Sequence, residues 1–150
     1  MKEITPENII LVQVIVYRSS IEPSEEFIIK PTVPNSFEVN YKQNTGFNVA
    51  KQIVRIRLNI ALEGVDKEGK AIGISGRFGI EFIFMVKGLN DYVTTKGGKK
   101  VVSSLLGSTI MGIVYSTARG IILERSMNTY LNGAILPVID PKVLLNNERK

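Results

Sequence analysis

Apolar and polar side chains alternate through most of the first half of the chain, with the two-residue period of β-strands. In Asn8–Ser19, Ile10, Val12, Val14 and Val16 share one face and Ile9, Leu11, Gln13, Ile15 and Tyr17 the other. Both faces are apolar, so this strand is expected to be covered on both sides. Glu22–Asn35 contains three prolines and is expected to break regular structure around a small apolar island, Phe27-Ile28-Ile29. Ser36–Gln43 alternates cleanly, with Phe37, Val39 and Tyr41 on its apolar face, and Asn44-Thr45-Gly46 reads as a turn. Ile53–Leu62 sets Val54, Ile56, Leu58, Ile60 and Leu62 against Arg55, Arg57 and Asn59. After a polar hairpin loop, Glu63–Gly69, the strand Lys70–Lys87 aligns Ile72, Ile74, Phe78, Ile80, Phe82, Phe84 and Val86.

The period then changes. Leu89–Lys100 reads as a glycine-bearing loop, and Val101–Leu131 as one long helix closed by Asn132-Gly133. Asp140-Pro141 caps and opens a short final helix bearing Val143, Leu144 and Leu145. The tail Asn146–Lys150 is polar and expected to fray. The pattern predicts an α+β fold in which a four-stranded antiparallel sheet carries the long helix on one face and the short C-terminal helix follows. Residues 1–150 read as one domain, without internal repeats.

Composition removes several chemistries. The chain has neither cysteine nor histidine, so disulfides, the common zinc sites, the Ser-His-Asp triad and the Cys-His pair are excluded. No metal or cofactor is expected, and no enzyme. Glu81, flanked by apolar residues, reads as a polar-face residue beside Arg77 rather than a catalytic base. Gly76-Arg77-Phe78-Gly79 lacks the glycine density and the Lys-Ser/Thr ending of a phosphate loop. Arg119, Glu124 and Arg125 read as surface charge.

The net charge of +5 permits acidic partners, but the cations are scattered. Their densest cluster, Lys96-Gly97-Gly98-Lys99-Lys100, lacks the interleaved aromatics of a nucleic-acid surface, so none is expected to bind. Val101–Ala118 carries no charge, yet its serines, threonines and glycines and the adjacent Arg119 argue against membrane insertion. The N-terminus shows no signal-peptide pattern, which places the protein in the cytoplasm as an expectation.

Two features need a partner or a core to explain them. Ser108, Gly112, Ser116 and Gly120 recur at every fourth position, forming a small-residue stripe along the helix. It fits close packing on the protein's own sheet or against a second copy. The connector holding Leu131, Ala134, Ile135, Leu136, Val138 and Ile139 is apolar where loops are normally polar. It is either core cover or the lip of a hydrophobic groove.

At this point the chain resembles the SecB family of bacterial export chaperones, over roughly Asn8–Leu145. The resemblance is carried by the strand ending in Tyr17, the pair Ile53–Leu62 and Ile72–Val86 closed by Gly88, Tyr115-Ser116-Thr117-Ala118-Arg119, and Leu136-Pro137-Val138-Ile139-Asp140-Pro141 with Leu144-Leu145. It implies an ATP-independent holdase, assembled as a dimer of dimers, that binds unfolded polypeptides in hydrophobic grooves. Matched by element, the groove would involve Phe27, Ile29, Val39, Tyr41, Leu136, Val138, Leu144 and Leu145. Where the family carries acidic sheet residues that dock the SecA motor, this chain has Ser20, Ser24 and Arg77, which puts SecA docking in doubt. A dedicated client such as an aggregation-prone antitoxin fits the resemblance as well as export does. The alternative is a non-catalytic, oligomeric interaction module of the same fold.

Overall fold

The structure is a computed structural model and describes residues 3–146. Its strands are β1 (Ile9–Pro23), β2 (Ser36–Asn48), β3 (Ile53–Val65), β4 (Ala71–Val86), β5 (Val93–Lys96) and β6 (Lys99–Val102). Its helices are α1 (Glu25–Ile29), α2 (Ser104–Ser126) and α3 (Pro141–Leu145). The first four strands form an antiparallel sheet in the order β1-β4-β3-β2, and β5 and β6 form a separate hairpin. The α+β architecture expected from the alternation is present.

The two central strands place their even-numbered side chains under α2. Ile56, Leu58 and Ile60 of β3 and Phe78, Ile80, Phe82 and Phe84 of β4 are buried. They meet Leu106, Ile110, Met111, Val114, Ala118 and Ile122, which line one side of α2 at helical spacing. By length and composition α2 would pass for a membrane span, but this side of it is packed on the sheet.

Several boundaries differ from the sequence reading. Val101 and Val102 belong to β6, and α2 begins after Ser103, whose hydroxyl accepts from the Leu106 amide. It ends at Ser126 rather than Leu131. There the Thr129 hydroxyl donates to the Ser126 carbonyl at 2.7 Å and accepts from the Leu131 amide, while Asn128 takes a positive φ of 59°. The expected loop 89–100 contains the β5–β6 hairpin, turned by Gly97 and Gly98 at φ 57° and 77°. Two positive φ values in a two-residue turn are what a twisted hairpin requires.

The expected turn at Asn44-Thr45-Gly46 is continuous strand, paired with Ile56 and its neighbours, and the reversal falls at 49–52. The proline-bearing segment holds α1, capped by Ser24, whose hydroxyl accepts from the Phe27 amide.

The largest difference concerns β1. It is an edge strand, and Ile10, Val12, Ile15 and Tyr17 on one face and Leu11 and Val14 on the other are exposed. Alternation reports that a face is apolar; it does not report strand order, which here leaves β1 outside the cover of α2.

Gly76 and Gly79 clear opposite faces of β4. A Cβ at Gly76 would collide with the Leu131 side chain, and one at Gly79 would lie 2.6 Å from Tyr17 Cζ. Gly120, by contrast, has open space where its Cβ would be. Gly76→Ala is therefore expected to destabilise by roughly 1–3 kcal/mol through overpacking. Gly120→Ala should raise intrinsic protomer stability by about 0.5–1 kcal/mol through helix propensity. Urea unfolding of the two variants under the same conditions reads both signs.

Candidate client-binding surface

After Ser126 the chain reverses and returns alongside α2. Loop carbonyls in apolar surroundings need donors, and α2 supplies them. Arg119 Nε donates to the Leu136 carbonyl at 3.0 Å, and the Tyr115 hydroxyl donates to the Pro137 carbonyl. Farther along, Pro141 lies 3.7 Å from where a Gly112 Cβ would stand, and Leu145 Cδ2 lies 3.0 Å from the corresponding position at Gly107. Arg119, read from sequence as surface charge, thus holds the connector. The missed signal is its spacing: it lies one helical turn from Tyr115, on the same face.

Tyr41 of β2 closes this arrangement. Its ring meets Tyr115 edge-on at 5.8 Å, and the two hydroxyls are 3.2 Å apart. Burial raises the Tyr115 pKa above the usual tyrosine range, and the hydrogen bond with Tyr41 adds to the rise.

Pinned in this way, the connector points alternate side chains in opposite directions. Leu131, Ala134, Leu136 and Leu144 are buried, with Leu136 1% exposed. Ile135 and Val138 are 64% and 83% exposed. The connector is therefore core cover on one side and exposed apolar surface on the other.

The groove residues anticipated from sequence divide accordingly. Phe27, Leu136 and Leu144 are core residues in this protomer, so they support the surface from beneath and do not present it. Val39, Tyr41 and Leu145 are half-buried, while Ile29 and Val138 are exposed.

Tyr41 of β2 reaches the connector through Tyr115, whose hydroxyl holds the Pro137 carbonyl between Leu136 and Val138, while Leu145 borders a separate cleft of about 660 Å³. Phe47, Ile110, Met111 and Val101 line that cleft, and Lys96, Lys99 and Lys100 of the β5–β6 hairpin rim it. Sequence reading missed these contributions because they depend on the hairpin folding over the start of α2. Phe27 lies apart from that cleft, its ring meeting Tyr130 edge-on at 5.3 Å, and Ile29 is exposed at the end of α1.

The small-residue stripe faces away from the sheet. Ser108 and Gly112 are half-exposed, and Ser116 and Gly120 are exposed. Leu105, Ile113, Leu123 and Met127 add exposed apolar side chains along the outer side of α2. Close packing of the stripe on the protomer's own sheet is ruled out by this orientation.

Glu81 pairs with Arg57, at 2.6 Å, rather than with Arg77. The register sets Glu81 directly across from Arg57, with Arg77 farther along its own strand.

The fold has a counterpart among solved structures. The fold is SecB-like. The chain aligns with the Mycobacterium tuberculosis Rv1957 SecB-like chaperone, solved in complex with a ChAD peptide from the Rv1956 HigA1 antitoxin, at a TM-score of 0.62. The alignment covers 89% of this chain and 91% of that one, at 10% sequence identity. A Streptococcus agalactiae protein of unknown function aligns at a TM-score of 0.45 and 13% identity, covering 87% of this chain and 97% of that one. No protein-family model matches the sequence, and no curated protein matches it. The likeness is one of fold, carried by the four-stranded sheet, the long helix and the short C-terminal helix.

The tyrosine contact gives a prediction with a defined sign. A tyrosine whose folded pKa lies above its unfolded value, about 10, contributes stability that is fully present below pH 10. That contribution is lost as pH rises through the folded pKa. Tyr115→Phe should cost about 1–2 kcal/mol at neutral pH, since it leaves the Pro137 carbonyl without its donor. It should also flatten the loss of stability above pH 10. Urea midpoints measured across that range for parent and variant check both effects.

Proposed function

We propose that this protein is an ATP-independent holdase that binds unfolded or aggregation-prone polypeptide segments on exposed aliphatic surface, working in the cytoplasm as a homo-oligomer. The observation carrying the proposal is the outward half of the connector. Ile135 and Val138 stand in solvent on a segment that α2 fixes in place. Held apolar surface with few directional groups suits recognition of many sequences. The SecB-like fold supports the reading, and so does the antitoxin peptide bound by the M. tuberculosis chaperone. A dedicated client of that kind is favoured over delivery to an export motor, because exposed Arg77 stands where the SecB resemblance calls for an acidic docking residue.

A second copy is proposed to cover the outer stripe of α2 and to pair along the open edge of β1, leaving the sheet face opposite α2 uncovered. Small residues at four-residue spacing allow two helices to approach closely, and an open apolar edge strand is costly to leave in water. An interaction module of the same fold, with no client, would need oligomer contacts to bury Ile29 and Val138 as well.

Two measurements test the proposal. Suppression of light scattering by an aggregating, chemically unfolded protein should occur without nucleotide. It should fall about tenfold in potency in Ile29→Ser/Val138→Ser, since each buried aliphatic side chain is worth about 1.5–3 kcal/mol. Equal potency in this double variant, with unchanged circular dichroism, would remove these residues from the binding surface. Gly120→Leu, which the isolated protomer can accommodate, should lower the molar mass seen by light scattering while leaving the helix content intact. An unchanged mass would take α2 out of the oligomer contact.

A further inference from the structure

The face of the sheet opposite α2 has no role in the client surface, and its register creates a charge pattern that the sequence does not display. Adjacent rows across β1, β4, β3 and β2 place Arg55 beside Ile83, Arg57 beside Glu81 and Asn44, Arg18 beside Gly79, and Lys42 beside Asn59. The next row carries Arg77 beside Ser20 and Ala61. Five cations that are scattered along the chain thus share one face, with Glu81 neutralising Arg57 alone. Arg18, Lys42, Arg55 and Arg77 are exposed, and none is ion-paired among the described residues.

The last row reverses sign. Glu22 and Glu63 flank Ser75, and Glu38 lies directly opposite Glu63. Like charges facing each other across strands are destabilising, so this end of the face is an unfavourable place for an anion.

A trough of about 750 Å³ runs through the basic part, lined by Tyr17, Arg18, Lys42, Asn59 and the paired Arg57 and Glu81, with Arg55 and Arg77 outside its lining. It is a built feature of the sheet. The bulge in β1 between Val16 and Arg18 sets Tyr17 over the bare backbone of Gly79, and its hydroxyl donates to Asn59 Oδ1 at 2.8 Å.

We propose that this outer face docks an extended acidic polypeptide segment, with the partner's acidic stretch over Arg18, Lys42, Arg55 and Arg77 and any basic flank toward Glu22, Glu38 and Glu63. Charge complementarity identifies the occupant. In an extended chain, side chains on one side repeat every roughly 6.7 Å, the spacing at which a strand presents Arg55 and Arg57. Guanidinium groups also bind carboxylates through two parallel hydrogen bonds. Nucleic acid fits less well. Its uniform negative backbone would meet the glutamate row, and the basic rows offer Tyr17 as their aromatic, with one ring face already on Gly79. This docking is independent of the holdase reading, because it uses the opposite face of the sheet.

The test uses fluorescence anisotropy at low ionic strength, with a labelled peptide of alternating Glu and Ser as probe. Alternating Lys and Ser and a thymidine oligonucleotide of equal length serve as comparisons. The parent protein should bind the acidic peptide most tightly, and binding should weaken steeply with salt. Arg55→Glu/Arg77→Glu should weaken it about tenfold or more through like-charge juxtaposition. Arg55→Gln/Arg77→Gln, which carries less risk to folding, should show a smaller loss. Suppression of client aggregation should be unchanged in both variants, which separates failure of this proposal from failure of the holdase reading. Absence of acidic-peptide binding by the parent would overturn the proposal, as would unchanged affinity in the Gln variant. Tighter binding of the oligonucleotide than of the acidic peptide would also overturn it, in favour of a nucleic-acid surface.

Discussion

Donation from α2 to the carbonyls of Leu136 and Pro137 is the interaction on which the connector and its exposed apolar side depend. A segment as apolar as 131–139 cannot rely on water for its backbone without also exposing its side chains as a disordered strand. Arg119 and Tyr115 resolve the conflict by supplying donors from a helix already anchored to the sheet. Once those carbonyls are satisfied, the connector takes one conformation. Leu131, Ala134 and Leu136 enter the core, and Ile135 and Val138 face out. The exposed apolar surface is thus a by-product of burying the other side of the same segment.

The sheet applies a similar economy to its own two faces. Even-numbered positions of β3 and β4 build the core with α2, while odd-numbered positions assemble charges from distant parts of the chain. Gly76 and Gly79 serve these faces separately, one admitting Leu131 from the connector and the other Tyr17 from β1. A motif that reads as a failed phosphate loop is a pair of clearances on opposite sides of one strand.

The sheet was legible wherever one face is buried, because a slip of one residue would expose every core side chain. The rows ending in Leu62 and Val86 gave nearly correct strands for that reason. Strand order is set by long-range pairing, so nothing in Asn8–Ser19 announced that β1 lies at an edge. The Gly97-Gly98 hairpin was available from its β-branched flanks, Val93-Thr94-Thr95 and Val101-Val102, but the lysines around it drew the reading toward a loop. In the candidate site, Tyr41, the buried Leu136 and the exposed Val138 were anticipated through the resemblance to SecB. Phe47, Met111 and Arg119 were not, since their roles exist only once the connector and hairpin fold back on α2.

The way the connector is fastened also constrains how the sequence can vary. Its attachments recur along α2 at Arg119, Tyr115, Gly112 and Gly107, so the returning chain is held in phase with the helix over its whole length. Replacing Ile135 or Val138 changes only what the solvent meets. Inserting or deleting one residue between Leu131 and Leu145 shifts the phase, turning core side chains outward and surface side chains inward. Divergence in this segment is therefore expected to occur by substitution at constant length, leaving surface chemistry free to change while the spacing is preserved.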